Sequence, residues 1–488
     1  MKILFVYSLN DIHSPEKRLS SYGEIQFGIS YLSSYLKKHG HQTKLIMLSK
    51  TLGSRNWSEL DTVISYFNPD VIGFTSVASE YNFISMMAAN VKKAFPNIFL
   101  IIGGAHVSLN SEDAINADFD AVCIGEGEHP MLELLDKLEE GAEPYGINNI
   151  WLKGSNGIEK NPTRPFNSSI DEIPFPDRHL WKEWVADEKG TKHAVLLARG
   201  CPYKCTFCSN HALRKIAGGS YVRHRSTESI IDEITEITED FPDANSIYLE
   251  IETIGVDKKW TDDLCKKLQS FNRNIGRRIS YGVNLRIYPG AEFEDLFREF
   301  RDSNIDFINI GLESGSEKIR RDILRRHYSN DDIIRAVKQA KQFGIKVRLN
   351  NLLGLPEEKP EDFAMTVEVN RICQPNMHAT NIFYPYPGTD LYKYCDEKGL
   401  LDKASDTGIE RTISILNMPY FSRNEIMKAY RWFAYNVYKG YKPTYLLLAK
   451  VFMSYIRAYP KIDYVFEPIY NSSLVSGIRG LLRRKYRQ

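Results

Sequence analysis

Two successive series of alternating strand-like and helix-like segments constrain this chain more than any other feature. In the first, short β-branched runs at 2–8 (KILFVYS), 43–48, 70–76, 97–104 and 120–127 alternate with helical patterns near 26–39, 57–67, 80–95 and 129–139. Strands joined through helices pair in parallel, because a crossover, not a hairpin, connects them. Five such strands predict a flavodoxin-like, doubly wound domain over 1–140. Residues 141–192 break the pattern with Pro162, Pro165, Pro174 and Pro176, and read as a linker. The second series has strands expected at 193–199, 246–252, 279–284, 305–312, 345–353 and 377–384. Helices near 226–239, 259–270, 291–303, 330–343 and 360–372 lie between them. Six βα units predict a partial (β/α)6 barrel over 193–396, with its chemistry where loops leave the strand C-termini. From 397 the β signal fades, and an aromatic-rich helical domain is expected over 397–488. The fold class is therefore α/β with a helical C-terminal region.

Charge narrows the function classes. Lys and Arg total 63 against 62 Asp and Glu, so no global basic field points to nucleic acid. The start, MKILFVYS, lacks the apolar core and cleavage site of a signal peptide. The longest apolar stretch, Tyr445 to Ile456, is interrupted by Lys450 and falls short of the ~20 residues of a membrane span. A cytoplasmic location is expected. The terminus is basic: Arg479, Arg483, Arg484, Lys485 and Arg487 lie near Ile478, Leu481 and Leu482. A solvated charged end is the default reading, and a short basic helix resting on a membrane surface the alternative.

Of seven cysteines, three lie within eight residues, in Arg199-Gly200-Cys201-Pro202-Tyr203-Lys204-Cys205-Thr206-Phe207-Cys208. The motif follows the apolar run AVLLA, on the loop leaving the first barrel strand. In a reducing compartment clustered cysteines bind metal or do chemistry more often than they pair. A full 4Fe–4S site takes four thiolates, so three from this loop leave one iron open to another ligand. The competing readings are zinc, with His211 as fourth ligand, or unrelated thiols. Cys123, Cys265, Cys373 and Cys395 are scattered and read as packing residues.

The C-x3-C-x-φ-C motif after a barrel strand resembles the signature of the radical S-adenosylmethionine (SAM) superfamily. The resemblance implies a 4Fe–4S cluster on Cys201, Cys205 and Cys208, with SAM chelating the open iron and cleaved to a 5′-deoxyadenosyl radical. Gly311-Leu312-Glu313-Ser314-Gly315-Ser316 is similar to the family's GxESG segment, placing Glu313 and Ser314 near SAM. Arg286 matches a frequent arginine, which can grip a carboxylate bidentately. Gly354-Leu355-Pro356-Glu357 resembles the GLPGE turn near the adenine, with Glu357 where a glycine is usual. Phe207 and Leu355 are the expected apolar SAM contacts. Relatives often carry two adjacent aspartates where this chain has Glu250-Ile251-Glu252; alternation puts both glutamates on one face, either as SAM contacts or as a salt-bridged pair at the barrel mouth.

A doubly wound sheet binds ligands beyond its strand C-termini. The loops there hold Thr75-Ser76, Gly103-Gly104-Ala105-His106 and Gly125-Glu126-Gly127-Glu128. With the barrel downstream, these segments resemble the cobalamin-binding radical SAM class, over roughly residues 1–385. The resemblance implies cobalamin contacts from Thr75, Ser76, Gly103, Gly104, His106, Gly125, Glu126 and Gly127. Some cobalamin proteins supply a histidine through D-x-H-x-x-G; here Asp11-Ile12-His13-Ser14-Pro15-Glu16 lacks the glycine, and a solvated His13 is the default. The implied activity is methylation of an unactivated carbon in a small-molecule or lipid-like substrate, with an electron donor such as flavodoxin or ferredoxin. A cyclase, ring-rearranging or oxidising enzyme using the same cofactors is the alternative, and a metal-dependent sensor or scaffold the non-enzymatic one.

Overall fold

The computed structural model describes residues 1–402, 411 and 413–456. The basic terminus read above lies outside the described residues. In chain order the first half holds β1 (Lys2–Ser8), α1 (Phe27–Lys38), β2 (Gln42–Leu48), α2 (Arg55–Phe67), β3 (Val71–Thr75), α3 (Tyr81–Ala94), β4 (Phe99–Gly103), α4 (Ala105–Leu109), α5 (Ser111–Asn116), β5 (Ala121–Cys123), α6 (Glu128–Glu139), β6 (Ile150–Gly154) and β7 (Gly157–Lys160). These strands form one sheet in the order β2-β1-β3-β4-β5-β6-β7. The first five are parallel, and their order is the flavodoxin-like one. One apolar face, with Ile3, Phe5, Leu45 and Ile101, packs under α1 and α6; the other, with Leu4, Val6, Ile72 and Leu100, packs under α2 and α3.

The stretch 141–192 differs from the expected linker. β6 and β7 form an antiparallel hairpin that extends the sheet beyond β5. Trp181 is fully buried against the α1 side of the sheet, and its indole N–H donates to Ser30 Oγ at 2.8 Å. Single prolines punctuate this segment without preventing it from pairing or packing.

The second half follows with β8 (Lys192–Leu196), β9 (Ala198–Arg199), α7 (Ser209–Leu213), β10 (Arg223–His224), α8 (Thr227–Asp240), β11 (Ser246–Glu250), α9 (Lys258–Asn274), β12 (Ser280–Leu285), α10 (Glu294–Asp302), β13 (Ile305–Glu313), α11 (Asn330–Gln342), β14 (Lys346–Leu353), α12 (Pro360–Cys373), β15 (Met377–Ile382), α13 (Asp390–Glu397), α14 (Arg423–Tyr438) and α15 (Thr444–Ile456). Six strands pair in parallel in the order β15-β14-β13-β12-β11-β8, an open barrel with two edges. Strand alternation explains its layering. Ile247, Leu249, Tyr281, Val283, Ile308 and Ile310 are buried with the apolar faces of the surrounding helices. Residues of opposite parity form a polar interior instead: the Tyr248 hydroxyl donates to Asn284 Oδ1 at 2.7 Å and accepts from the Asn309 amide. The Asn284 amide in turn donates to Ile251 O at 2.9 Å.

α14 begins with a capping box between Ser422 and Glu425. Its Phe433, Val437 and Tyr438 pack with Leu353, Phe363 and Ile382, covering the β15 side of the barrel. Among the described residues no helix is long and apolar enough to cross a membrane.

Candidate active site

The three clustered cysteines sit on the loop between β9 and α7, at the C-terminal end of the first barrel strand. Gly200 fixes how that loop starts. Its φ is +84°, and an added Cβ would lie 2.0 Å from Tyr221 O, so only glycine passes beneath the neighbouring strand segment. Cys205 is buried, and Cys201 and Cys208 are half-buried. Arg286, just past β12, donates from its guanidinium to Cys205 Sγ at 2.8 Å. The same guanidinium lies 3.7 Å from the ring centroid of Tyr203, while the Arg286 N–H donates to Thr253 Oγ1 at 2.9 Å. Burial pushes the Cys201 thiol up and the Cys208 thiol to about 11; in both, the negative charge of Glu252 adds to the rise. A metal centre bound here has to displace these protons, because the thiolate is the ligand.

An iron–sulfur cluster fits this donor set: three thiols near one another at a strand end, with an arginine beside one of them. Among the described residues no three His, Cys, Asp or Glu side chains stand close enough to hold one ion. His211 is turned away to Asp390, 3.1 Å from Oδ2. The remaining cysteines are all buried in apolar clusters, Cys123 on β5, Cys265 and Cys373 on the helices around the barrel and Cys395 on α13, as expected of packing residues.

Four arrangements hold the other residues expected to meet SAM. Phe207 and Leu355 come together in one apolar cluster with Ile319, Leu324 and Phe383. Glu313 ends β13 in a bulge, in the left-handed region at φ +60°. Burial pushes its carboxyl up, opposed by Arg326, which pairs with it at 3.2 Å, and by Arg286. Glu250 and Glu252 do share one side of the barrel mouth, but they do not pair with cations: Glu252 is exposed, and burial first, then Glu252, raises the Glu250 carboxyl to about 7. Ser314 is different. It is fully buried, and its hydroxyl accepts from Ser316 N at 3.2 Å, so it shapes the turn from within.

The GLPE turn explains its own departure from glycine. Glu357 takes φ +64°, the conformation glycine adopts at little cost, and its carboxylate accepts from the Tyr394 hydroxyl at 3.0 Å. The next residue, Glu358, escaped the sequence reading. It is buried under the turn, accepts from Gly354 N at 2.6 Å and Leu355 N at 3.2 Å, and is pushed by burial to about 8.

In the N-terminal domain a cavity of about 340 Å³ opens beyond the strand C-termini. Of the expected residues, Thr75, Gly103, Gly104, Gly125, Glu126 and Gly127 line it, together with the apolar Phe5, Phe27, Leu32 and Met131. Gly104, at φ +107°, is a cradle that a side chain would fill: its Cβ would meet Ser76 O at 2.8 Å and Thr75 Oγ1 at 2.9 Å. Ser76 and His106 are not in the lining. Ser76 Oγ donates to Val77 O at 2.8 Å, and His106 lies in the first turn of α4, its ring 4.5 Å from that of Tyr81. The Tyr31 hydroxyl, also in the lining, is buried with no hydrogen-bond partner. A large flat ligand with an apolar appendage suits a slot of this kind, built from glycine backbone and aromatic walls. His13 is exposed on the loop after β1.

The two sites share a wall. Arg199 precedes the cysteine loop and also lines the N-terminal cavity. Its guanidinium pairs with Glu126 at 3.0 Å and Glu128 at 2.6 Å, and Arg223 on β10 pairs with the same Glu126 at 2.9 Å. Burial would depress Arg199, but Glu128 and then Glu126 outweigh it and hold the guanidinium well above its ordinary value. Glu126 is thus occupied by two arginines. Sequence reading noticed the GEGE loop and the arginine of the cysteine motif, but nothing along the chain says that they meet.

Comparison with known proteins bears on the family and the fold. Residues 195–369 match the radical SAM superfamily, and residues 21–135 match the B12 binding domain. An uncharacterised methyltransferase of Pyrococcus horikoshii is 27% identical over 100% of this chain and 99% of its own. The anaerobic magnesium-protoporphyrin IX monomethyl ester cyclase of Rubrivivax gelatinosus is 24% identical over 76% of this chain and 66% of its own. The hopanoid C-3 methylase of Methylococcus capsulatus is 24% identical over 75% and 67%. Among solved structures, the radical SAM methyltransferase TsrM of Kitasatospora setae superposes with a TM-score of 0.67 at 15% identity, covering 90% of this chain and 89% of that one. The cobalamin-dependent radical SAM enzyme OxsB gives 0.68 at 16%, covering 99% and 75%. The chain belongs to the B12-binding class of the radical SAM superfamily. It is a radical SAM enzyme whose cofactors are a 4Fe–4S cluster, SAM and cobalamin, and its relatives include cobalamin-dependent methyltransferases.

Proposed function

We propose that this enzyme methylates an unactivated carbon of a small-molecule or lipid-like substrate. The observation that carries the reading is the shared wall: Arg199 stands between the cysteine loop and the glycine-lined cavity, in contact with the loops of both. A radical source and a methyl carrier have to face one substrate, and a wall common to the cysteine loop and the cavity supports this reading. The relatives named as a hopanoid C-3 methylase and a magnesium-protoporphyrin IX monomethyl ester cyclase support a small-molecule or lipid-like substrate.

In this reading Cys201, Cys205 and Cys208 hold the cluster. When bound, the cluster with SAM supplies a carbon radical that abstracts hydrogen, and cobalamin supplies the methyl group. The protein's own part is positioning. Arg286 offsets thiolate charge at Cys205 and keeps Tyr203 stacked over the loop. Arg326 holds the Glu313 carboxylate as an acceptor for a SAM ammonium or ribose hydroxyl. Phe207 and Leu355 form an apolar wall for the adenine. Glu250 and Glu252 stand at the mouth, where the raised carboxyl of Glu250 can hold or release a proton near neutral pH. Thr75, Gly103, Gly104, Gly125 and Gly127 admit cobalamin, while Glu126 fixes Arg199 instead of meeting the ligand alone. An electron donor such as flavodoxin or ferredoxin would reduce the cluster.

Anaerobic reconstitution with SAM, cobalamin and a reductant, followed by product analysis, tests the reading. Methyl transfer yields both 5′-deoxyadenosine and S-adenosylhomocysteine with a methylated product from host extract. 5′-Deoxyadenosine without S-adenosylhomocysteine would replace it by the cyclase or oxidase alternative, and turnover of neither by a sensor.

A further inference from the structure

We propose that the outer face of the cysteine loop is the docking surface for an acidic one-electron carrier protein. The inference rests on the reading above, in which Cys201, Cys205 and Cys208 hold the cluster, and it says where the electron enters. Of the residues between Cys201 and Cys208, only Lys204 is exposed; Cys205 and Thr206 are buried, and Pro202, Tyr203 and Phe207 are half-buried. A cation therefore marks the approach from solvent to the loop.

Other cations surround it. Arg214, exposed at the end of α7, lies with Nη1 3.5 Å from Pro202 O. Lys215 and Arg325, whose side chains are 57% and 53% exposed, flank Asp390 at 3.0 Å and 2.9 Å. Backbone bonds tie this group to the loop: Leu391 N donates to Thr206 O at 2.9 Å, and the Thr206 hydroxyl donates to Ile323 O at 2.6 Å. Asp390 is shared further with His211. Arg321 and Asp322, alongside Ile323, pair with each other and cancel. Lys204 and Arg214 form no ion pair among the described residues. The rim of Lys204, Arg214, Lys215 and Arg325 thus holds four cations against the single carboxylate of Asp390.

The occupant follows from charge and place. The whole chain is balanced, at 63 Lys and Arg against 62 acids, so this excess is local. Another flank of the barrel is acidic, because α8 exposes Asp232, Glu236, Glu239 and Asp240. An acidic protein is repelled by that flank and drawn to the cysteine loop. A second copy meeting the rim across a two-fold axis would set cation against cation. Redox encounters bury little surface, so charge complementarity, more than apolar area, brings the partners together. In the encounter the carrier is oxidised by one electron, which the cluster accepts; no bond forms or breaks.

Flavodoxin, an acidic flavin carrier, is the probe, used with the anaerobically reconstituted full chain. Zero-length carbodiimide coupling should join its carboxylates to Lys204 and Lys215, read by mass spectrometry of the digested conjugate. Titration calorimetry at low salt should show binding that weakens as salt rises. Lys204→Glu/Arg214→Glu should weaken that binding, and slow bleaching of the cluster by reduced flavodoxin, by about tenfold or more. Its iron content and its 5′-deoxyadenosine formation with excess dithionite should match the parent's. Conjugation confined to other lysines would overturn the proposal, as would binding and bleaching that the double variant leaves undiminished. A parent cluster that dithionite reduces but flavodoxin does not would overturn it too, and leave the methylation reading standing. Flavodoxin-driven reduction that depends on Lys204 and Arg214 yet gives no methylated product would keep the docking surface and overturn that reading instead.

Discussion

The cavity of the N-terminal sheet and the mouth of the barrel lie on either side of Arg199, yet they are built from opposite materials. The cavity is mainly glycine backbone and apolar side chains, its charged residues Glu126, Glu128 and Arg199 are tied to one another in ion pairs, and among the described residues of its lining Tyr31 has a buried hydroxyl without a partner. The mouth is thiols, carboxylates and guanidinia: Cys205 against Arg286, Glu313 against Arg326, Glu250 beside Glu252. The first site selects by shape and the second by charge. A steric change should therefore damage one and a chemical change the other, and variants can separate them.

The largest effect is expected at the thiols. Alanine at Cys201, Cys205 or Cys208 should abolish a stable 4Fe–4S cluster, read as iron content and visible absorption, while corrinoid binding persists. Alanine at Cys265 or Cys395 should leave iron content unchanged, because both are buried in apolar clusters. A triple alanine variant that still held a full cluster would end the assignment.

The converse change is Gly104→Val. With φ at +107° and Ser76 O only 2.8 Å from the added Cβ, the loop has to move, and corrinoid affinity measured by equilibrium titration should fall by more than about tenfold. Iron content should hold. Loss of both cofactors together would show that the two sites do not separate in this way.

The bridge between them comes next. Arg199→Met leaves Glu128 buried beside an apolar chain, and removing one partner of a buried pair costs about 3 kcal/mol. Part of this is screened at Glu126, which keeps Arg223. Denaturant unfolding of the reconstituted protein measures it; a loss below about 0.5 kcal/mol would mean that the bridge does not hold the domains.

A smaller, pH-dependent effect is expected at Glu358. Its carboxyl is raised to about 8 in the folded protein, so the native state binds the proton more tightly than the unfolded chain does. Stability from this group is full below the ordinary carboxylate range and is lost as pH rises towards 8. Thermal melts of Glu358→Gln and the parent should diverge across pH 5 to 8, with the variant gaining, and run parallel above it. Parallel curves throughout would place the Glu358 proton elsewhere. The smallest effect is expected at His13, exposed on its loop: His13→Ala should leave the absorption spectrum of bound corrinoid unchanged, and a shift would make His13 an axial ligand.

The sequence by itself determined the alternation of strands and helices, and with it the five parallel strands of the first sheet and the six of the second. Each amphipathic segment announces its own period, and crossover connections leave little choice of pairing. It also determined the cysteine loop, because those three ligands are neighbours along the chain. The hairpin of β6 and β7 stayed hidden, since its short strands at a sheet edge carry little periodicity among glycines and prolines. What only the tertiary structure decided is which separated side chains meet. Arg199 reaches Glu126 and Glu128 across more than seventy residues, Arg326 is bound to Glu313, and Glu358 closes the turn from beneath. Arginine and glutamate are common on any surface, and a charge becomes informative only when folding buries it beside one particular partner and makes the pair costly to break.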